Sequence, residues 1–181
     1  MGESYQIKNQ EELYFVTFQV VGWLDVFSRQ IYRDIFLESL NYSQKHNGLE
    51  VYAYVIMTNH VHLILGSATS KLSDTIRDVK RFTSNKILTA ISESHQESRK
   101  EWMDLVFRYH AKHNKRVGAK QFWTHENHAV ELTTNHIKDV KLDYIHNNPV
   151  RAGWVEKPED YLYSSAKDYA GLNGLIEIQI L

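Results

Sequence analysis

The stretch LEVYAYVIMTNHVHLIL, residues 49–65, decides the fold. Residues 49–57 and 61–65 are rich in β-branched, aromatic and aliphatic side chains, and Thr58-Asn59-His60 between them is a polar break suited to a tight hairpin. Two antiparallel strands follow from that pattern. Upstream, residues 13–21 (LYFVTFQVV) read as another strand, with Phe15, Thr17 and Gln19 on one side and Tyr14, Val16, Phe18 and Val20 on the other. Between these strands, from Ser28 as N-cap to about Lys45, Ile31, Ile35, Leu37 and Leu40 recur at near-helical spacing, and Asn47-Gly48 supplies a stop.

Downstream, residues 72–93 carry Leu72, Ile76, Val79, Ile87 and Ile91 at a helical period. A shorter helix is expected over 98–111, then a polar loop over 113–120. Short strands over 121–123 and 129–132 would flank His125-Glu126-Asn127. A final helix over 135–147 closes at Asn148-Pro149, because the residue before proline is disfavoured in helical geometry. The order strand, helix, strand, strand, helix, strand predicts an α+β, ferredoxin-like or RRM-like sandwich. Its antiparallel sheet would carry helices on one face and leave the other for a site.

With 181 residues and neither repeat nor linker, the chain reads as one domain, 1–181, with a short C-terminal tail from about 150. Cysteine is absent, which excludes disulfides, thiolate metal sites and cysteine nucleophiles. No signal-peptide pattern and no long apolar run is present, so a cytoplasmic protein without membrane association is expected. Gly2 is not followed by the serine or threonine that myristoylation requires. The net charge of −1 argues against a nucleic-acid partner only until it is mapped. Residues 1–70 hold four Lys/Arg against seven Asp/Glu, residues 71–120 twelve against six, and residues 121–181 five against nine. The middle third is a basic island, and its helix presents Arg77, Lys80, Arg81 and Lys86. Such a row is either a solvated helix face or a contact for a phosphate backbone.

His60 and His62 are two apart on an expected strand, so both imidazoles project to one sheet face while Val61, Leu63 and Leu65 face the other. That pair could hold a divalent metal or simply be half-exposed strand histidines. Tyr144 and Asn148, four apart, share a helical face if the helix persists to Asn148. Tyr144 also fits an apolar period beside Ile145, as a core-edge tyrosine would.

The whole phrases YVIMTNHVHLIL (54–65) and YIHNNPVRAGWVEKPEDYLYSSAKDY (144–169) resemble the HUH single-tyrosine transposases, specifically the REP-associated tyrosine transposases. The resemblance covers essentially the whole chain and keeps the family's order, histidine pair first and tyrosine later. It implies that His60 and His62 bind the metal, Mg2+ or Mn2+, that Tyr144 is the nucleophile, and that Asn148 is a third polar ligand. It further implies single-stranded or hairpin DNA as substrate, cleaved through a 5′-phosphotyrosine. Thr58 departs from the family, which places proline before its Asn-His-Val-His phrase.

Trp123 is expected to pack or to stack a base, and Arg151 to touch DNA or cap the preceding helix. His125 and His128 could mimic a ligand pair. His146 is expected to face solvent, and the phrase at 161–169, with Ser164 and Ser165, to dock on the domain or position the tyrosine helix. Two other readings use the same residues: a single-strand-binding module without turnover, and a histidine-metal hydrolase using activated water. Monomer and homodimer both remain open.

Overall fold

A computed structural model of the protein describes residues 6–113 and 118–181; Gly2 and positions 114–117 of the expected polar loop lie outside the described residues. Strands β1 (Tyr14–Gln19), β2 (Leu49–Ile56), β3 (His60–Ser67) and β4 (Val130–Glu131) form one sheet in the order β2-β3-β1-β4, each pairing antiparallel. The hairpin turns where the polar break predicts it, with Met57 N donating to His60 O at 2.9 Å. Helix α1 (Gln30–Asn47) stops at Gly48, whose φ of +67° is the left-handed cap that glycine adopts without strain. Helix α2 (Leu72–Glu93) has the bounds that its apolar period predicts, and α3 (Lys100–Lys112) follows.

Two local expectations change. Ser28 is not the cap of α1: it ends a separate 3-10 turn, Val26–Ser28, its N–H bonded to Asp25 O, and Arg29 occupies the cap position. Residues 121–123 form no strand; Trp123 makes an isolated bridge to Val20, and the segment follows that edge through scattered bonds, Val21 N to Phe122 O, Thr124 N to Gln19 O and Thr17 N to Asn127 O, while β4 pairs only with Tyr14 and Phe15.

Alternation along β1 and β3 sorts side chains onto two cores. Tyr14, Val16, Phe18, Val61, Leu63 and Leu65 pack under α1 and α2 with Phe36, Leu40, Ile76, Val79 and Ile87. Phe18, Phe27, Phe36 and Trp123 form an aromatic knot there, and Trp123 Nε1 donates to Thr83 Oγ1 at 3.0 Å. Each such buried ring contributes on the order of 2–3 kcal/mol by leaving water. Trp123 therefore packs.

The two long helices thus lie on one face as expected, but the other face is not left bare. Helix α4 (Asn135–His146) crosses the other, where Ile145 and Leu132 pack on Phe15, Ala53, Val55 and Ile64. Thr134 caps α4 by accepting from Ile137 N at 3.2 Å. After Asn147 the chain resumes as α5 (Asn148–Arg151), and the tail then runs along the free edge of β2. Ser164 bridges Val55, Ser165 N donates to Tyr54 O at 3.0 Å, and Tyr161 OH donates to Ile56 O at 2.8 Å. The tail therefore covers an edge that would otherwise present unpaired backbone groups.

Candidate active site

His60 and His62 start β3 and point to the face that α4 crosses, their ring centroids 4.6 Å apart. The register sets Thr17 opposite His62 and Gln19 opposite His60. Thr17 Oγ1 lies 2.8 Å from His62 Nδ1, and Asn59 Oδ1 lies 2.6 Å from His60 Nδ1. With a proton on each Nδ1, both rings keep the Nε2 lone pair. His62 Nε2 is buried and has no hydrogen-bond partner among the described residues. Burial, followed by the positive charge of His60, Lys141 and Arg151, pushes His62 down to about 3, and burial also lowers His60. Both are neutral nitrogen donors at neutral pH.

Tyr144 stands over this pair from α4. Its ring lies 5.1 Å from the His62 ring and 5.9 Å from Phe15, which itself stacks on His62 at 5.4 Å. Two cations flank it: the Arg151 guanidinium is 4.6 Å over the ring and Lys141 Nζ is 5.7 Å from its centre. Arg151 Nη2 also donates to Tyr144 O at 2.6 Å, so the arginine caps the helix and covers the tyrosine ring together.

The donor set fits a divalent cation. Two neutral imidazoles share one face, each held at Nδ1 by an oxygen, and one Nε2 is buried with no partner. No cluster of three His, Cys, Asp or Glu among the described residues is placed to complete a site, so amide, water or phosphate oxygens would supply the rest. Asn148 does not lie on an unbroken turn after Tyr144. Helix α4 ends at His146, and Asn148 starts α5 immediately before Pro149, which cannot donate a backbone hydrogen bond.

The structure does not bring the α2 cations to this face. The buried side of α2 packs on the opposite side of the sheet from the histidines, so the basic helix is not beside the site. Arg77 pairs with Asp74 at 2.7 Å, Arg81 with Asp78 at 3.3 Å and Lys86 with Glu38 at 3.1 Å, all exposed. Lys80 is a different case. It is half-buried, donates to Thr124 O at 2.8 Å and Asn127 Oδ1 at 2.6 Å, and desolvation of its ammonium lowers it to about 8. It fastens the segment around 124–127 to α2, and Asn127 O in turn accepts from Thr17 N at 2.8 Å.

His146 is not solvent-facing. It is buried at the C-terminal end of α4, 2.9 Å from Ser165 Oγ and 5.0 Å from the Tyr169 ring, and burial lowers it to about 4. Ser165 Oγ also accepts from Tyr54 N at 2.9 Å, so one hydroxyl ties the tyrosine helix, the tail and β2 together. Sequence reasoning missed Thr17, Asn59 and Lys141. The signals were there: Lys141 is one helical turn before Tyr144, and Asn59 adjoins His60. Thr17 needed the strand register, which no single segment encodes.

The fold and site together define a ferredoxin-like protein with a histidine pair beneath a helix-borne tyrosine. Residues 24–112, just under half of the chain, match the family model described as "Transposase IS200 like". The match includes His60 and His62 and ends before Tyr144. Among solved structures, a REP-associated tyrosine transposase bound to a REP hairpin superposes with a TM-score of 0.60 at 17% identity, covering 99% of this chain and 92% of that one. The likeness establishes the fold. A putative transposase from Deinococcus radiodurans R1 aligns at 18% identity and TM-score 0.44, over 81% of this chain and 95% of that one. No curated protein sequence matches. The family match over that segment and the shared fold both agree with the resemblance drawn from the two motifs.

Proposed function

We propose that the protein cleaves single-stranded or hairpin DNA and transfers the strand through a covalent bond to Tyr144. One observation carries this reading: the Tyr144 ring stands 5.1 Å from the His62 ring, over the face that also holds His60. The phenol oxygen attacks the scissile phosphorus, its proton passing to solvent. The phosphorus–O3′ bond breaks, the 3′ oxygen takes up a proton, and a 5′-phosphotyrosine remains. A second 3′-hydroxyl reverses these steps and rejoins the strand, so the bond is conserved without nucleotide hydrolysis.

His60 and His62, held by Asn59 and Thr17, would bind Mg2+ or Mn2+, with Asn148 as a candidate third ligand. The bound ion would neutralise charge on the phosphate and orient it. Arg151 and Lys141 fix the ring and add positive charge where the phosphate must approach. Arg77, Arg81 and Lys86 would contact the DNA backbone away from the chemistry. Their exposed ion pairs are worth only about 0–1 kcal/mol each and exchange readily for phosphate. Lys80 acts indirectly, by holding the segment at the β1 edge. The described residues would act as one catalytic domain. A hairpin substrate agrees with the hairpin bound by the REP-associated relative.

The test is incubation with labelled hairpin DNA and Mn2+, followed by denaturing electrophoresis. A protein–DNA adduct lost in Tyr144→Phe supports the reading. Cleavage that survives Tyr144→Phe contradicts it.

A further inference from the structure

We propose that Trp23 is a stacking platform for an unpaired nucleobase flanking the scissile phosphate, an inference that rests on reading this face as DNA-processing. Trp23 is the most exposed of the four tryptophans, at 63%, and follows β1 on a 3-10 turn, Val21–Trp23. Its neighbours Val21 and Leu24 are buried, so the turn is anchored on both sides while the indole stays out. The ring lies 6.5 Å from the His60 ring, edge to face. Trp23, His60, His62 and Tyr144 thus form a continuous row of rings along the site, with Trp23 at the end away from the tyrosine.

The backbone is specialised to hold it there. Trp23 has φ +55°, a left-handed conformation that a bulky residue rarely adopts, and Gly22 before it has φ +63°. A Cβ on Gly22 would sit 2.9 Å from Val106 Cγ1, so α3 packs directly on that glycine and leaves the turn no room to relax. Asn59 links the platform to the histidines: its Nδ2 reaches Trp23 O at 3.5 Å and its Oδ1 lies 2.6 Å from His60 Nδ1. A flat, exposed, anchored indole beside a phosphate-processing centre suits a base. Stacking on an aromatic side chain is strong for any base and needs no sequence.

The experiment uses full-length Tyr144→Phe protein, so binding is measured without turnover. Its probes are an oligothymidylate of about twelve nucleotides and an abasic oligomer of equal length and charge, compared by fluorescence anisotropy. The expected result is a preference for the oligothymidylate that Trp23→Ala reduces by about fivefold to 150-fold, and that Trp23→Phe largely keeps. Affinity for the abasic oligomer should be unchanged in both variants, which also reports an intact fold. An undiminished preference in Trp23→Ala, or equal loss for both oligomers with unaltered thermal unfolding, overturns the platform alone. Protein that binds neither oligomer before Trp23 is changed overturns the DNA-processing reading as well.

Discussion

Arg151 holds Tyr144 twice, with its guanidinium 4.6 Å over the phenol ring and Nη2 2.6 Å from the tyrosine's own carbonyl. Alanine at 151 removes a cation–π contact and a charged cap together, terms worth about 1–2 kcal/mol each. Arg151→Ala is expected to slow adduct formation about 10-fold to 100-fold, with a smaller loss in DNA affinity. Lysine there should restore part of the rate, since it keeps charge without the planar fork. Single-turnover cleavage beside equilibrium binding separates the two effects.

Thr17 and Asn59 orient the histidines, so their loss should be read in metal dependence. Thr17→Val keeps the shape of the side chain and removes the oxygen 2.8 Å from His62 Nδ1. Such a change typically costs about 10-fold to 100-fold in metal affinity. A Mn2+ titration of cleavage should shift to higher concentration by that factor, with little change at saturation.

Ser165 joins three elements through one buried oxygen. Ser165→Ala leaves His146 Nε2 and the Tyr54 amide without this partner and should destabilise the fold by about 1–3 kcal/mol. Urea unfolding measures the loss. Activity at low temperature should fall less than in Arg151→Ala, because the chemistry is untouched.

The acid limb of stability is expected to run through Glu97. Burial alone would raise this carboxyl, but hydrogen bonds from Arg99 and the charges of Arg99 and Arg29 outweigh it and hold it below its ordinary 4.5. A folded-state value below the unfolded one gives stability that is present above pH 4.5 and is lost as pH falls toward the folded value. Glu97→Gln should cost about 2 kcal/mol at pH 7 and flatten the decline below pH 4.5 in urea titrations.

Much of this was legible in the chain. The alternation in 49–65 gave two strands and put His60 and His62 on one face, and the helical period from Leu72 to about Glu93 gave α2. Tyr144 near the histidine pair followed from the paired motifs. What sequence could not supply was placement across the sheet. The α2 period says which residues are buried, but not which sheet face buries them, so Arg77, Arg81 and Lys86 fall on the side away from the histidines. Lys80 looked like its neighbours in sequence and is half-buried and hydrogen-bonded because a distant segment folds back onto it. His146 misled for a similar reason: its burial depends on the tail around Ser165, 19 residues further along the chain.

The account stands most directly on the chemical identity of the covalent link. The adduct formed with hairpin DNA and Mn2+ can be digested with nuclease and protease and its modified peptide sequenced by mass spectrometry. The expected result is a nucleotide joined through its 5′-phosphate to Tyr144. A nucleotide on any other side chain, or complete cleavage that leaves every peptide unmodified, would contradict it.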